Sequence, residues 1–227
     1  MDKVKLVVMD VVGTTVRDNG EVVDAFTDAL KRHRIEVTPD QLSKVRGSSK
    51  RQAVFDLIPA SSGRYERADR VYASFCKNLT RRYRTFGVEP IEGAERVFAW
   101  LRQNKVRVAL NTGFDRDVTQ LLLAALRWDE GIADVVVCGD DVSQGRPAPE
   151  LIYRAMAITG VDDSREVANV GDTALDVRAA HRAGVRWNIA VLSGAHDRTR
   201  LKGEPYTHLL DSIAGLPGLL MQSISQV

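Results

Sequence analysis

Short runs of apolar, mostly β-branched residues recur along most of the chain, separated by stretches with helical spacing. The runs predict five buried strands at residues 5–9, 106–111, 135–137, 167–170 and 188–192. The spacing between them predicts helices at 94–103, 117–126, 149–159 and 174–183. Strands that alternate with helices predict an α/β fold with a doubly wound, mostly parallel sheet.

One long stretch, residues 17–87, interrupts this alternation. Its periodicity predicts helices at 21–34, 39–46, 49–57 and 65–86, and the second is expected to start with Thr38 as N-cap and Pro39 in the first turn. We therefore predict two domains, an α/β core of residues 1–16 and 88–227 and a small helical cap of residues 17–87. Residues 207–219 are expected to add a short strand and a helix to the core.

The charge of the chain is unevenly distributed. The net charge of +2 is too small to suggest a nucleic-acid partner, but residues 17–87 hold 15 Lys and Arg against 9 Asp and Glu, a net +6. The remainder holds 17 against 21, a net −4. A basic module beside an acidic one favours a small anionic substrate between them. The alternative is that the basic residues are solvated helix faces.

Compartment and partners are suggested only by what the sequence lacks. No apolar run approaches the roughly 18 residues of a membrane span, and the start of the chain has no signal-peptide pattern. Cys76 and Cys138 are isolated and lack metal-ligand spacing. We expect reduced thiols in a cytoplasmic protein with neither a membrane nor a nucleic-acid partner.

Carboxylates follow two of the predicted strands. Asp10 ends the first strand before Gly13, and Asp172 and Asp176 follow the strand at 167–170. An aspartate can attack phosphorus, and carboxylates together with phosphoryl oxygen and water suit Mg²⁺. Each aspartate has a simpler interpretation, which is that it caps a turn or a helix.

A hydroxyl and a cation lie in two further loops. Thr112 and Gly113 follow the strand at 106–111 and suit a phosphate cradle, or else a helix cap. Arg146 lies between Gly145 and Pro147, where it suits a phosphoryl group, or else solvent. All of these motifs follow strands of one sheet, so we expect them to meet at the carboxyl edge.

In combination, these motifs resemble the haloacid dehalogenase-like (HAD) phosphohydrolases with a small helical cap. The resemblance covers nearly the whole chain. Phosphatases of that superfamily carry a second aspartate two residues after the first, to protonate an oxygen leaving group, but this chain has Val12. Ordinary phosphoester chemistry is therefore lost, or the leaving group does not need that acid.

Within the superfamily the chain most resembles phosphonoacetaldehyde hydrolases, or phosphonatases, and their relatives. The shared details are an apolar residue at Val12, arginine instead of lysine at Arg146, and a cap lysine, Lys50, three residues after Gly47. In phosphonatases this lysine forms a Schiff base with the substrate aldehyde. The alternative for Lys50 is an exposed helix lysine.

The resemblance implies a role for each matching residue. Asp10, Lys50, Thr112 and Arg146 would be catalytic, and Thr14, Arg46, Gly47, Gly113 and Phe114 would contact substrate. Mg²⁺ would be held by Asp10, the backbone carbonyl of Val12 and Asp172, with Asp176 supporting the metal site or the cation network. Pairing through the caps into a homodimer is also implied.

Three positions depart from the phosphonatase pattern. Ala53 replaces a histidine, Arg46 a methionine and Phe114 a tyrosine. Arg46 either binds a second anionic group on a larger phosphonate or points to solvent. The segment after the fifth strand is expected to close the rim of the site. His196 in this segment either carries protons or, as we expect, lies at the surface.

Three functions remain open on the sequence. The first is C–P cleavage in a small carbonyl phosphonate, such as phosphonoacetaldehyde or a relative, through Asp10 and a Lys50 Schiff base. The second is hydrolysis of a small phosphate ester at a P–O bond, with Lys50 only as a cation for the substrate. The third is non-catalytic binding of a phosphate ligand.

Overall fold

A six-stranded parallel sheet forms the centre of the computed structural model, which describes residues 3–45, 47–59, 63–129 and 131–224. The strands are β1 (Leu6–Asp10), β2 (Arg107–Asn111), β3 (Val135–Val137), β4 (Val167–Gly171), β5 (Trp187–Val191) and β6 (His208–Leu210). Their order across the sheet is β3-β2-β1-β4-β5-β6, and every neighbouring pair is parallel. The five predicted strands are confirmed to within one residue.

Helices cover both faces of this sheet. Those of the described residues are α1 (Glu21–Arg32), α2 (Pro39–Lys44), α3 (Lys50–Leu57), α4 (Arg64–Phe86), α5 (Ala94–Gln103), α6 (Arg116–Ala125), α7 (Glu150–Thr159), α8 (Ala174–Ala183), α9 (Arg198–Leu201) and α10 (Leu216–Ile224). The doubly wound α/β fold is confirmed. Two details differ from the prediction, because α9 was not foreseen and α10 extends beyond residue 219. None of the helices in the described ranges is long and apolar enough to cross a membrane.

Strand β1 shows how the apolar pattern builds the two faces. Val7 and Met9 belong to the core cluster that includes α5, whereas Leu6 and Val8 belong to the cluster that includes α7 and α8. Alternate side chains of a strand point to opposite faces, so a strand buried on both faces must be apolar throughout. The first polar residue, Asp10, therefore falls at the carboxyl end.

The four helices α1–α4 lie between β1 and β2 in the chain. Thr38 starts α2 as predicted, because its hydroxyl accepts a hydrogen bond from the Gln41 N–H (3.2 Å) and its own N–H donates to the Gln41 side chain (2.8 Å). Helices α1 and α4 pack through an edge-on contact of Phe26 with Phe75, with ring centroids 5.7 Å apart. The division into a core domain and a cap domain stays a prediction.

Candidate active site

The carboxyl ends of β1, β2 and β4 bring the predicted residues together. Asp10 ends β1 directly beside Asn111 of β2, and Asp172 follows β4, the neighbour of β1 on the other side. This is the edge at which parallel α/β sheets bind ligands. A cavity of about 380 Å³ opens there, lined among others by Asp10, Val12, Lys50, Thr112, Arg146 and Asp172.

Arg146 links β1, β2 and α8 through its side-chain contacts. It is buried, and its Nη1 lies 2.6 Å from Asp10 Oδ1 and 2.8 Å from Asp176 Oδ1. Its Nη2 donates to the side-chain and backbone oxygens of Asn111, at 2.5 and 3.1 Å. A buried cation needs such complete pairing. The sequence did not single out Asn111, whose only signal was a polar residue at the end of an apolar strand.

The carboxyl group of Asp10 titrates just below neutral pH. Burial raises its pKa to about 6, although Arg146 acts in the opposite direction, and Asp176 adds to the increase. The carboxylate is therefore mostly ionised at pH 7–8, as a nucleophile must be. It is also held in one orientation by the Arg146 contact.

Two hydrogen-bond donors hold the Asp172 carboxylate in place, and the neighbouring carboxylates of Asp10 and Asp176 repel its charge. The Thr14 hydroxyl donates to Oδ1 (3.2 Å) and the Ala195 N–H to Oδ2 (2.6 Å). Burial, and then the charges of Asp10 and Asp176, raise its pKa well above the usual value. Thr14, predicted to contact substrate, is fully buried and does not line the cavity, so in this structure it orients Asp172 instead.

Asp176 is occupied by two other partners. Its Oδ2 accepts hydrogen bonds from the Thr173 N–H (3.0 Å) and the Thr173 hydroxyl, as the capping box of α8, while Oδ1 faces Arg146. The resemblance allowed support of the metal site or of the cation network, and this geometry favours the cation network.

The remaining donors fit a magnesium ion. Within the described residues no cluster of three or more Asp, Glu, His or Cys side chains could hold a metal by itself. Asp10 and Asp172 supply two buried carboxylates, and Val12 lines the same cavity. Mg²⁺ commonly takes one or two carboxylates and completes its shell with water and phosphoryl oxygens. Burial, and then repulsion by Asp10 and Asp176, raise the pKa of Asp172, and a divalent cation would relieve this repulsion.

Asp172→Asn should separate the cost of this repulsion from metal binding. Because the pKa of Asp172 is raised in the folded state, its ionisation destabilises the metal-free protein as pH rises above the unfolded-state pKa. We expect the variant to melt higher than wild type at pH 8 in EDTA, and to lose the increase in melting temperature that Mg²⁺ gives wild type. Melting curves with EDTA and Mg²⁺ measure both. An unchanged Mg²⁺ effect would exclude Asp172 as a ligand.

Lys50 lines the cavity from the first turn of α3. Its Nζ donates to the Ser48 carbonyl (3.2 Å) and lies 6.0 Å from the centre of the Phe114 ring. The pKa of Lys50 is lowered to about 8, mainly by burial. The charge of Asp10 raises this pKa, and the charge of Arg146 lowers it. Burial is therefore a larger cause of this shift than the charge of Arg146.

Two glycines allow the loop before Lys50 to reach the core. Gly47 has φ +83°, and a methyl group there would overlap the Thr173 hydroxyl. A methyl group on Gly113 would lie 2.8 Å from the Ser48 carbonyl oxygen, and the Lys50 N–H donates to the Gly113 carbonyl at 3.4 Å. Only glycine permits such close backbone approach. Arg46, a predicted substrate contact, lies outside the described residues.

Gly47→Ala is expected to lower kcat/KM by about 10²-fold, because displacing a reacting group by even 1 Å has effects of that size. Gly63 is the matched control. It also has positive φ, +74°, but a methyl group there would meet nothing within 4 Å. Both variants should lose about 1–2 kcal/mol of stability through backbone strain, but only Gly47→Ala should lose activity. Steady-state kinetics and thermal melts of the two variants test this. An equal loss of activity in both variants would show that the close approach of Gly47 to the core is unimportant.

His196 contradicts the expectation of a surface position. It is buried, and its Nδ1 accepts a hydrogen bond from the Ala174 N–H (3.0 Å) at the start of α8. This nitrogen must be unprotonated to accept. The ring supports the loop that carries Asp172, a function that depends on tertiary contacts and has no local signal in the sequence.

The arrangement agrees with comparison to known families. The family model for haloacid dehalogenase-like hydrolases matches residues 7–190. The chain belongs to this family. As a HAD-like hydrolase it is expected to be an enzyme, in keeping with an intact set of buried acids.

Similar proteins include more than one kind of HAD hydrolase. The phosphonoacetaldehyde hydrolase of Bacillus cereus (strain AH187) is 28% identical over 86% of this chain and 78% of its own. A phosphonoacetaldehyde hydrolase-like protein from Oleispira antarctica superposes with a TM-score of 0.84 at 21% identity, over 97% and 92% of the two chains. A predicted phosphoglycolate phosphatase from Haemophilus somnus has a TM-score of 0.77 at 16% identity, over 96% and 99%. The resemblance to phosphonatases is confirmed, while the structural likenesses support the fold alone.

Proposed function

We propose that this HAD-like hydrolase cleaves the C–P bond of a small carbonyl phosphonate and releases phosphate, with Mg²⁺ as cofactor. The observation that carries the proposal is Lys50, a partly buried lysine with a pKa of about 8 that lines the same cavity as Asp10. A P–O phosphatase has no need of a neutral amine. A C–P hydrolase needs one to convert the substrate carbonyl into an electron acceptor.

At the core end of the cavity, the residues suit the phosphoryl group. Asp10 would attack phosphorus, with Thr112 and Arg146 binding the phosphoryl oxygens. Magnesium, held by Asp10, Asp172 and the Val12 carbonyl, would neutralise phosphoryl charge. Arg146 is already held by Asp10 and Asn111, so little ordering is needed when substrate binds.

At the cap end, Lys50 would form the imine. Its neutral amine adds to the carbonyl carbon and water leaves, which gives an iminium on the carbon next to the one bonded to phosphorus. When Asp10 attacks phosphorus, the C–P bond breaks and its electron pair moves into the iminium to give an enamine. Protonation of the enamine and hydrolysis of the imine then free Lys50, and water releases phosphate from Asp10.

Val12 is consistent with this sequence of steps. The leaving group is carbon, and its electrons are taken up by the iminium, so no oxygen requires the proton that a second aspartate would give. Ala53 and Phe114 stand where phosphonatases have a histidine and a tyrosine. Neither residue can transfer a proton during imine formation, so a P–O phosphatase remains the second candidate. Pairing into a homodimer through the cap stays a prediction.

Trapping the imine tests the proposal. The protein is incubated with phosphonoacetaldehyde, reduced with borohydride and mapped by mass spectrometry. A stable adduct on Lys50, accompanied by phosphate release, is the expected result. Lys44, an exposed cap lysine paired with Asp40 at 2.7 Å, should remain unmodified. Equal labelling of the two lysines, or turnover without any adduct, would refute the imine.

The pH dependence of trapping follows from the pKa of Lys50. Because this pKa is lowered from 10.5 to about 8, the neutral amine is scarce below pH 8 and dominant above it. The initial rate of adduct formation at low substrate concentration should rise about tenfold per pH unit up to pH 8 and then level off. Rates measured from pH 6 to 10 would locate the midpoint. A rise that continues to pH 10 would indicate an ordinary exposed lysine.

A further inference from the structure

Part of the cavity is lined by helices that lie between β1 and β2 in the chain. Five apolar residues of α1, of α2 and of the segment after α2 contribute to this lining: Val22, Val23, Phe26, Leu42 and Val45. Val22 and Phe26 are buried, while the other three are partly buried. We call these five residues the apolar wall. A phosphonate that ended at its carbonyl carbon would have no alkyl group to pack against this wall.

The volume of the cavity supports a longer substrate. Phosphonoacetaldehyde has about seven non-hydrogen atoms and takes up roughly 210 Å³, at the ~30 Å³ that a water-sized group occupies in a liquid. The cavity measures about 380 Å³. With a metal ion also bound, the remaining space holds on the order of four further groups of that size.

Among the described residues, the charges near the apolar wall that are not already assigned to the reaction are acidic and oppose a second anion. The basic residues that line the cavity within the described ranges are Lys50 and Arg146, both already assigned to the reaction. Asp18 and Asp24 line the cavity on the side of α1, and both are exposed. A carboxylate on the substituent would meet these acids, whereas an alkyl chain would be buried against the wall with a favourable free energy.

We propose, resting on the function proposed above, that the substrate is a 2-oxoalkylphosphonate whose carbonyl carbon carries an alkyl chain of about three to five carbons. Water and this substrate would give phosphate and a methyl ketone. The C–P bond breaks, the carbon that leaves phosphorus gains a proton, and the hydroxyl oxygen of water goes to phosphorus. No oxidant or reductant is needed. The alkyl chain would lie along the apolar wall.

Binding of n-alkylphosphonates tests the wall without any turnover. They lack the carbonyl, so calorimetric titration in Mg²⁺ reports binding alone. The dissociation constant should fall about threefold for each added methylene as far as about six carbons, as expected for burial of apolar surface. Leu42→Asn, similar in size but polar, should flatten this dependence, and Val23→Thr should weaken it. Leu121→Asn, at a partly buried leucine of α6 outside the cavity, should leave it unchanged.

Two results of this titration would overturn the inference. One is a dissociation constant in the wild-type protein that does not change with chain length. The other is tighter binding of a carboxyalkylphosphonate than of the alkylphosphonate of equal length, which would assign the space to a second anion. Melting curves of Leu42→Asn and Val23→Thr confirm folding, and the wild-type series decides the matter even if a variant fails to fold.

Phosphate release from carbonyl phosphonates separates the two proposals. We expect kcat/KM to be higher for 2-oxoalkylphosphonates than for phosphonoacetaldehyde, by about 10-fold or more at the best chain length. Chain-length-dependent binding without release from any carbonyl phosphonate would refute C–P cleavage and leave the apolar wall standing. Turnover that is fastest with phosphonoacetaldehyde would refute the alkyl substrate and leave C–P cleavage standing.

Discussion

Replacing Lys50 with arginine is expected to abolish phosphate release from carbonyl phosphonates, with a fall in kcat of at least about 10⁴-fold. The substitution keeps the positive charge. Arginine stays protonated at every accessible pH and cannot form an imine, so the electrons of the C–P bond would have no acceptor. Phosphate release from 2-oxoalkylphosphonates and phosphonoacetaldehyde, measured for both proteins at pH 8, gives the effect.

Two comparisons make the Lys50→Arg result specific. Hydrolysis of p-nitrophenyl phosphate, whose leaving group needs little protonation, should change by less than about tenfold, since binding by charge is retained. Lys44→Arg, at an exposed lysine of α2, should behave as wild type. Full activity on carbonyl phosphonates in Lys50→Arg would contradict an imine and make Lys50 a cation for the substrate in a P–O phosphatase.

Asp10→Asn should remove the reaction at phosphorus, whatever the leaving group. The amide is a poor nucleophile and a weaker ligand for magnesium, so phosphate release from both carbonyl phosphonates and p-nitrophenyl phosphate should fall at least about 10⁴-fold. Steady-state phosphate release measures this loss. Equal activity of the variant and wild type would mean that another group attacks phosphorus, or that the activity belongs to a contaminant.

The Asp10→Asn variant should nonetheless form the imine. The charge of Asp10 raises the pKa of Lys50, so its removal favours the neutral amine, and borohydride trapping at pH 7 should be retained or enhanced. Asp117→Asn, at an exposed residue of α6, is the control for a general effect of removing a carboxylate. Adduct formation without phosphate release in Asp10→Asn would show that imine formation at Lys50 and attack on phosphorus by Asp10 are separate steps. Phosphate release that is present in wild type and lost in this variant would argue against a protein that only binds phosphate.

Local patterns were enough to predict the sheet and the meeting of its motifs. Runs of mostly apolar, β-branched residues such as 167–170 predict buried strands, and parallel strands bring the loops at their carboxyl ends to one edge of the sheet. Asp10, Thr112 and Asp172 were therefore predictable as neighbours. Their family resemblance added Lys50, which does line the same cavity.

The partners of these residues were not predictable, because they depend on packing between distant segments. Thr14 turns to Asp172, 158 positions away, and Arg146 finds Asn111 at the end of another strand. His196 is buried against the start of α8 rather than exposed. Hydrogen bonds of this kind have no periodicity and no sequence signature, so residues that orient the chemistry are missed more easily than residues that carry it.

If Lys50 forms the proposed imine, the contact between the Gly47–Lys50 loop and the core would also limit the reaction of its amine with other aldehydes. A neutral lysine reacts with any aldehyde it meets, and cells contain many. The pKa of Lys50 falls to about 8 mainly through burial, and part of that burial comes from the Gly113 and Phe114 loop against which it packs. Separation of the two would return water to the amine and restore its charge. On the proposed function, the amine would therefore be least reactive toward other aldehydes when the two loops are apart, and most reactive when they are in contact.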